Sequence, residues 1–348
     1  MTEAERLAAR MLCVGFDGHV PDDAIRRLID RGVGGVVLFA RNVDSPEQVL
    51  ALNAALKQHA GDRPLLTCVD QEGGRVARLR RGFTQVPAMR DVRDADHAAE
   101  LGDVLGRECR AVGFDLNFAP VLDVDTNPAN PVIADRSLGR DPQRVAELGT
   151  ALVRGMQNHV AACGKHFPGH GDTAQDSHHD LPRLPHDLDR LRQIELKPFA
   201  AVADEIAAIM TAHIVFEALD DKPGTMSKPV LDLLRQDLGF DGVIISDDFE
   251  MKALFGRFDF EHTITTAALA GVDLLVVCHR EDLQHRAIDA LATLPIERLR
   301  AANRRIDVLC ARFCKPAVGD LAVLPKDNAI INAGVDPTDF RKPTQTHA

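Results

Sequence analysis

Short apolar runs alternate with longer amphipathic ones from the first dozen residues to about residue 313. The short runs are Leu12–Phe16, Val33–Phe39, Leu65–Val69, Leu116–Val124, one ending at Lys165–His166, Ala207–Ala212, Gly242–Ser246 and Asp273–Val277. They are nearly continuous in apolar residues, as strands covered on both faces of a parallel sheet should be. Between them the spacing predicts helices over Pro21–Arg31, Pro46–His59, Ala95–Val112, Asp141 to about Asn158, Leu188–Glu205, Val230–Leu238 and Thr263–Ala270. A last helical region, broken at Pro295, extends to Phe313. The boundaries carry the expected chemistry: Ser45 before Pro46, Asp141 before Pro142, and Gly32 after Arg31.

Eight strands alternating with helices argue an α/β fold, a (β/α)8 TIM barrel in a single domain. The barrel is expected over residues 1–314, with an irregular tail over 315–348. An open doubly wound sheet is the rival. The polar residues favour closure: Asp70, Asp123, Asp125, Lys165, His166, His213, Asp247 and His279 all fall at or just past the ends of apolar runs. In a closed barrel those ends share one rim, where barrel enzymes do their chemistry. In an open sheet the edge strands could not bring theirs together.

Composition narrows the class. A net charge of −11 argues against nucleic acid or an anionic membrane as partner. No apolar stretch approaches the ~18 residues of a membrane span, and the charged start MTEAERLAARM has no apolar core of a signal peptide. Of seven cysteines, Cys13, Cys68, Cys163 and Cys278 lie in or beside the buried runs, and Cys310 and Cys314 share a helix face. They read as reduced core thiols, which makes the expected compartment cytoplasmic. With no Trp and no Tyr, the chain lacks amphipathic platforms for a long polymer. A small polar ligand, held by hydrogen bonds and charge, fits better.

The chemistry concentrates in Gly164–Pro185, GKHFPGHGDTAQDSHHDLPRLP, with four histidines and three aspartates among glycines and prolines. A loop of this length and content is usually functional. Asp176 and His178 are two apart, so in extended backbone both point to one side and the carboxylate can orient the imidazole. Asp247, directly after the run GVIIS, would point into the barrel mouth as nucleophile, base or metal ligand. Asp70, Arg78, Arg136, Lys165 and His166 form a mixed-charge set suited to a ligand dense in hydroxyls. A structural ion-pair network would use the same residue types. His166, His170, His178, His179 and Asp180 could by composition hold a metal, but the first strand lacks the His-x-His of barrel metallohydrolases. Gly32–Gly35 lies between a helix and a strand, so it is not a dinucleotide fingerprint.

VDQEGGRVARL at 69–79, RSLG at 136–139, KHFPGHGDTAQDSHHDLP at 165–182 and ISDDFEM at 245–251 resemble the motifs of glycoside hydrolase family 3. More closely, they are similar to the single-domain bacterial β-N-acetylhexosaminidases of peptidoglycan recycling. The resemblance runs from roughly residue 10 to 310. It implies a barrel, retention of anomeric configuration, and no metal or other cofactor. By motif it makes Asp247 the nucleophile, His178 the acid/base and Asp176 the residue orienting it. It makes Asp70, Arg78, Arg136, Lys165 and His166 the residues holding N-acetylglucosamine. Phe249-Glu250 departs from what relatives commonly carry beside the nucleophile. The implied substrate is a small muropeptide or N-acetylglucosaminide, with no nucleic-acid or membrane partner. A phosphorylase using the same site, a metal-dependent amidohydrolase and a non-catalytic sugar-binding barrel remain the alternatives at this point.

Overall fold

The computed structural model describes residues 1–174 and 180–325. Eight parallel strands close into a barrel in chain order. They are β1 (Leu12–Val14), β2 (Gly35–Leu38), β3 (Leu66–Val69), β4 (Leu116–Asn117), β5 (Ala161–Phe167), β6 (Ala208–Thr211), β7 (Val243–Asp248) and β8 (Leu274–Val277). Closure is made by β1, where Cys13 sits opposite Gly35 of β2 on one side and Val276 of β8 on the other. Every strand therefore has two neighbours, and the open sheet is excluded. β2, β3, β6 and β8 are buried at every position, because side chains fill the barrel on one face and helices cover the other.

The surrounding helices start where capping residues allow. Asp22, Ser45, Asp94, Asp141, Asp187 and Asp259 each accept a hydrogen bond from a backbone N–H of the first helical turn. An additional helix, Glu3–Arg10, precedes the barrel, closed by a reciprocal Thr2/Glu5 capping box.

Three elements differ from the pattern. The run Leu116–Val124 pairs as a ladder only over Leu116–Asn117, because Pro120 has no N–H to donate. Pairing resumes beyond it, where the Leu122 N–H donates to the Lys165 carbonyl at 2.7 Å. The helix expected over Leu188–Glu205 is two, Leu188–Gln193 and Leu196–Val202. Pro198 is the reason: a continuous helix would need its N–H for the Ile194 carbonyl, and its ring would clash there. Beyond Lys228–Asp232 the next helix widens into a π turn, Leu233–Asp237.

Two buried carboxylates seal the floor, the end away from the strand C-termini. Asp115, just before β4, is fully buried between Lys57 Nζ at 2.7 Å and Arg110 Nη1 at 2.9 Å, and also accepts from the Lys315 N–H. Asp273, just before β8, meets Arg235 at 2.5 Å and Arg298 at 3.3 Å. No helix among the described residues is long and apolar enough to cross a membrane.

Candidate active site

The C-terminal rim is built outward from β4. Asn117, at the end of that strand, accepts from the Gln71 N–H and donates to the Gln71 carbonyl, both at 2.9 Å. Gln71 in turn accepts from the N–H groups of Arg78 and Leu79 at 2.8 and 2.9 Å and donates to the Leu79 carbonyl. This pins a small hairpin that turns through Gly73 and Gly74, whose φ values of 106° and 54° suit glycine. Asp70, Glu72 and Arg78 are thereby carried on a braced loop beside the end of β3.

Lys165, from the end of β5, enters from the side. It is 3% exposed, with Nζ 2.7 Å from Asp70 Oδ1 and 2.6 Å from Glu72 Oε1. Arg136, from the long connection after β4, forks onto both Glu72 oxygens at 2.8 and 2.9 Å. Burial alone would raise the Glu72 carboxyl, but Arg136 and Lys165 hold it well below the usual carboxylate range. Burial likewise works against the charged Lys165, yet Asp70 and Glu72 hold its pKa above the ordinary value. Both groups are therefore charged at neutral pH. Arg78 stands 3.8 Å from Asp70 Oδ2, and its guanidinium lies over the Phe39 ring, 5.9 Å from the centroid. Asp70 Oδ2 is thus only loosely engaged, and it can accept from a ligand hydroxyl.

His166 belongs to a second cluster directly behind. Its Nδ1 is 2.7 Å from Oδ2 of the fully buried Asp123, which also accepts from the backbone N–H groups of His166 and His170. Burial would raise the Asp123 carboxyl; His166 and His170 hold it low. A proton fixed on Nδ1 leaves Nε2 of His166 to meet a ligand. His170, buried and capped at Nδ1 by the Thr173 hydroxyl at 2.9 Å, is pushed down to about 4 by burial and by the neighbouring His166. It stays neutral. Asp125, also buried, is paired instead with Arg90 at 2.7 Å and Arg140 at 3.3 Å.

Asp247 and Asp248 lie at the end of β7, both partly exposed. Asp248 pairs with His279 at 3.4 Å, and His213 reaches the Asp248 carbonyl at 3.1 Å. On β5, two residues before Lys165, the Cys163 thiol is buried. Burial raises its pKa strongly, and it also feels the charges of Lys165, Asp70 and Asp247. The acidic end of β7 and the Lys165–Asp70 pair lie on the one rim that the closed parallel barrel gives its strand ends.

Asp70, Arg78, Arg136 and Lys165 are brought into a single network, in which each has a carboxylate or cation partner, as a structural ion-pair reading of them expects. His166 joins it by sequence adjacency rather than by contact. Asp176 and His178 lie outside the described residues, as does His179. Among the described residues no three His, Cys, Asp or Glu side chains gather into a metal-ligand set. Glu72, Phe39 and the partnership of Asp123 with His166 were not foreseen from the pattern. Glu72 reads as turn filler before Gly-Gly, although three cations facing only Asp70 already called for a second carboxylate.

The profile of the glycosyl hydrolase family 3 N-terminal domain matches residues 7–313. The chain belongs to glycosyl hydrolase family 3. Among family relatives, the β-hexosaminidase of Pseudomonas aeruginosa is 42% identical over 270 residues, 76% of this chain and 80% of that one. The β-hexosaminidase of Thiobacillus denitrificans is 39% identical over 347 residues, covering 92% and 94% of the two chains. Among solved family 3 structures, a β-N-acetylglucosaminidase from Paenibacillus superposes with a TM-score of 0.89 at 40% identity. That match covers 96% of this chain but 66% of the longer Paenibacillus chain. NagZ from Neisseria gonorrhoeae, solved with N-trifluoroacetyl-D-glucosamine, gives 0.73 at 33% identity, covering 87% and 97%. The family and these relatives make the present chain a glycosidase.

Proposed function

We propose that this family 3 glycosidase is a retaining exo-β-N-acetylglucosaminidase. On this reading it removes terminal N-acetylglucosamine from muropeptides bearing 1,6-anhydro-N-acetylmuramic acid, during cell-wall recycling in the cytoplasm. Residues 1–314 are the catalytic barrel and 315–348 an appended tail.

Asp70, Arg78, Arg136, Lys165 and His166 hold the non-reducing sugar. Carboxylate oxygens accept from ring hydroxyls while the cations and the imidazole complete the set, a mixture that suits a polyol better than an anion. The Asp247 carboxylate attacks C1 as the glycosidic C–O bond breaks, and His178 gives its proton to the departing oxygen. Water then attacks C1 of the glycosyl-aspartate, passing its proton to His178 and releasing Asp247. Retaining glycosidases ordinarily use two carboxyl groups. An imidazole serves here because its pKa lies near neutrality without needing a buried acid, and Asp176 orients it.

One observation carries the reading: the barrel closes, so Asp247 at the end of β7 and Lys165 near the end of β5, paired with Asp70 just past β3, stand on the same rim. A nucleophile and a hydroxyl-binding set on one barrel rim can face one sugar ring. Relatives named β-hexosaminidase, and NagZ solved with an N-acylglucosamine, support the choice of sugar. All seven cysteines are free thiols, in keeping with a reducing compartment.

The test is covalent trapping with a fluorosugar derived from N-acetylglucosamine, followed by peptide mapping. Label on Asp247 is expected, with N-acetylglucosamine as the product of turnover whether or not phosphate is present. Label elsewhere rejects the nucleophile. A sugar 1-phosphate formed in phosphate buffer would make the enzyme a phosphorylase.

A further inference from the structure

The strand that carries Asp247 leaves its ladder just where the nucleophile stands. Ile245 pairs with Leu274 and Asp248 with Val276, so three steps along β7 oppose two along β8. The extra residue is a bulge at Ser246–Asp247, a device that re-aims a side chain next to a site. A bulge strands backbone groups, and those left buried must find partners. On the β8 side the Val276 N–H donates to the buried Ser246 hydroxyl at 2.9 Å, and the ladder restarts as the Phe249 N–H donates to the Val276 carbonyl.

On the β6 side, regular pairing ends at Ile245–Met210. There the Asp248 carbonyl is met by His213 Nε2 at 3.1 Å. A carbonyl can only accept, so Nε2 carries the proton and Nδ1 is an acceptor. Nδ1 lies 2.8 Å from the Thr225 hydroxyl, which is itself 2.8 Å from the Thr211 hydroxyl. Thr225 is also 3.1 Å from the Ala212 carbonyl, a longer option for its single proton. The shorter contact completes a chain from Thr211 through Thr225 and His213 to the Asp248 carbonyl. His213 is 1% exposed, and the buried Phe249 ring covers it with centroids 5.9 Å apart. Burial pushes the imidazole pKa down, the nearby Asp247 charge opposing, so the ring is neutral and its tautomer is set by Thr225.

We infer that His213 is a positioning residue of the glycosidase reaction: by donating to the Asp248 carbonyl it holds the β7 bulge that turns the Asp247 carboxylate toward the bound sugar. The inference rests on Asp247 as nucleophile. His213 is argued to act on the nucleophile through the Asp248 carbonyl, not on the sugar itself. Its loss should slow bond formation at C1 while the residues proposed to bind the sugar, on the segments after β3 and β4 and on β5, keep their affinity.

The experiment compares wild type with His213→Phe, His213→Gln and Thr225→Val, measuring the rate of fluorosugar labelling and the affinity for free N-acetylglucosamine. A small misplacement of a reacting group costs on the order of 10²-fold. His213→Phe, which keeps a ring but has no donor, is expected to label roughly 10²-fold more slowly, with sugar affinity held within about threefold. His213→Gln, whose amide can reach the carbonyl, should recover at least about tenfold of that loss. Thr225→Val, which frees the tautomer, should fall between, and it carries the same test if the Phe variant does not fold. Wild-type labelling rates in both the Phe and Val variants overturn the inference, as does a parallel loss of labelling and sugar affinity that Gln fails to rescue. Wild-type label on a residue other than Asp247 overturns the nucleophile reading and this inference with it, whereas label on Asp247 with unchanged variant rates overturns the inference alone.

Discussion

Arg136 grips Glu72 with a two-bond fork, Nη2 and Nε lying 2.8 and 2.9 Å from its two oxygens, while Lys165 closes on the same carboxylate at 2.6 Å. One buried carboxylate thus carries two of the cations proposed to hold the sugar. Glu72→Gln keeps the shape and removes the charge, leaving both cations under-compensated. Removing one partner of a buried pair costs about 3–5 kcal/mol. The variant is expected to lose stability on that scale and to bind N-acetylglucosamine at least about tenfold more weakly, which is 1.4 kcal/mol. Urea unfolding and sugar titration check the two effects; unchanged affinity would remove Glu72 from the binding machinery.

Stability should fall as pH falls, in two stages. His170 is held down to about 4 when folded against an ordinary value of 6.5, so between those values the unfolded chain binds the extra proton. Its contribution is complete above pH ~6.5 and is lost as pH drops through the folded value. Glu72 and Asp123 are also held below their ordinary values, so theirs persists to lower pH and is lost under about pH 4. Urea midpoints from pH 8 to 3 should show both stages. His170→Gln should reduce the upper one, to which the depressed His213 also contributes, and leave the lower one in place; an unchanged slope between pH 6.5 and 4 would contradict the assignment.

Glu250 is a described carboxyl placed to rival His178, the proposed proton donor. It sits two residues past the Asp247–Asp248 pair, half-buried, with its pKa raised by burial and by the Asp248 charge. Its Oε1 is occupied, however, accepting from the His279 and Arg280 N–H groups at 2.6 and 3.1 Å. Glu250→Gln is expected to change kcat by less than about threefold for every leaving group, the effect of a surface charge rather than of an acid, which contributes roughly 10²–10⁴-fold. His178→Ala should slow poor leaving groups far more than activated aryl ones. A leaving-group-dependent loss in the Glu250 variant instead would exchange the two roles.

The floor of the barrel offers a control without chemistry. Asp115 is fully buried and holds Lys57 and Arg110 at the end opposite the site. Asp115→Ala should cost about 3–5 kcal/mol by stranding both cations. Activity per folded molecule should not change at a temperature where the variant is intact, since the floor of such a barrel serves stability and the opposite rim the chemistry. A fall in kcat at full folding would mean that strain travels the length of β4.

What the sequence by itself determined is periodic and local. Continuous runs such as Val33–Phe39 and Asp273–Val277 could only be strands covered twice, and Ser45-Pro46 and Asp141-Pro142 could only begin helices. Eight such alternations left an open sheet as the rival of a barrel, and only the polar residues at the run ends favoured closure; the closed barrel gives Asp70, Lys165 and Asp247 one rim. Motif order along the chain was enough to identify the family. The tertiary structure alone decided who pairs with whom. Nothing in VDQEGG says that Glu72 rather than Asp70 takes Arg136, because that choice depends on where Asn117 anchors the hairpin from another strand. Nor does GVIISDD announce a bulge, since one extra residue appears only when β7 is laid beside β8. Spacing records which side chains share a face; the distances that turn a carboxylate into an anchor or a nucleophile are set by packing between elements remote in the chain.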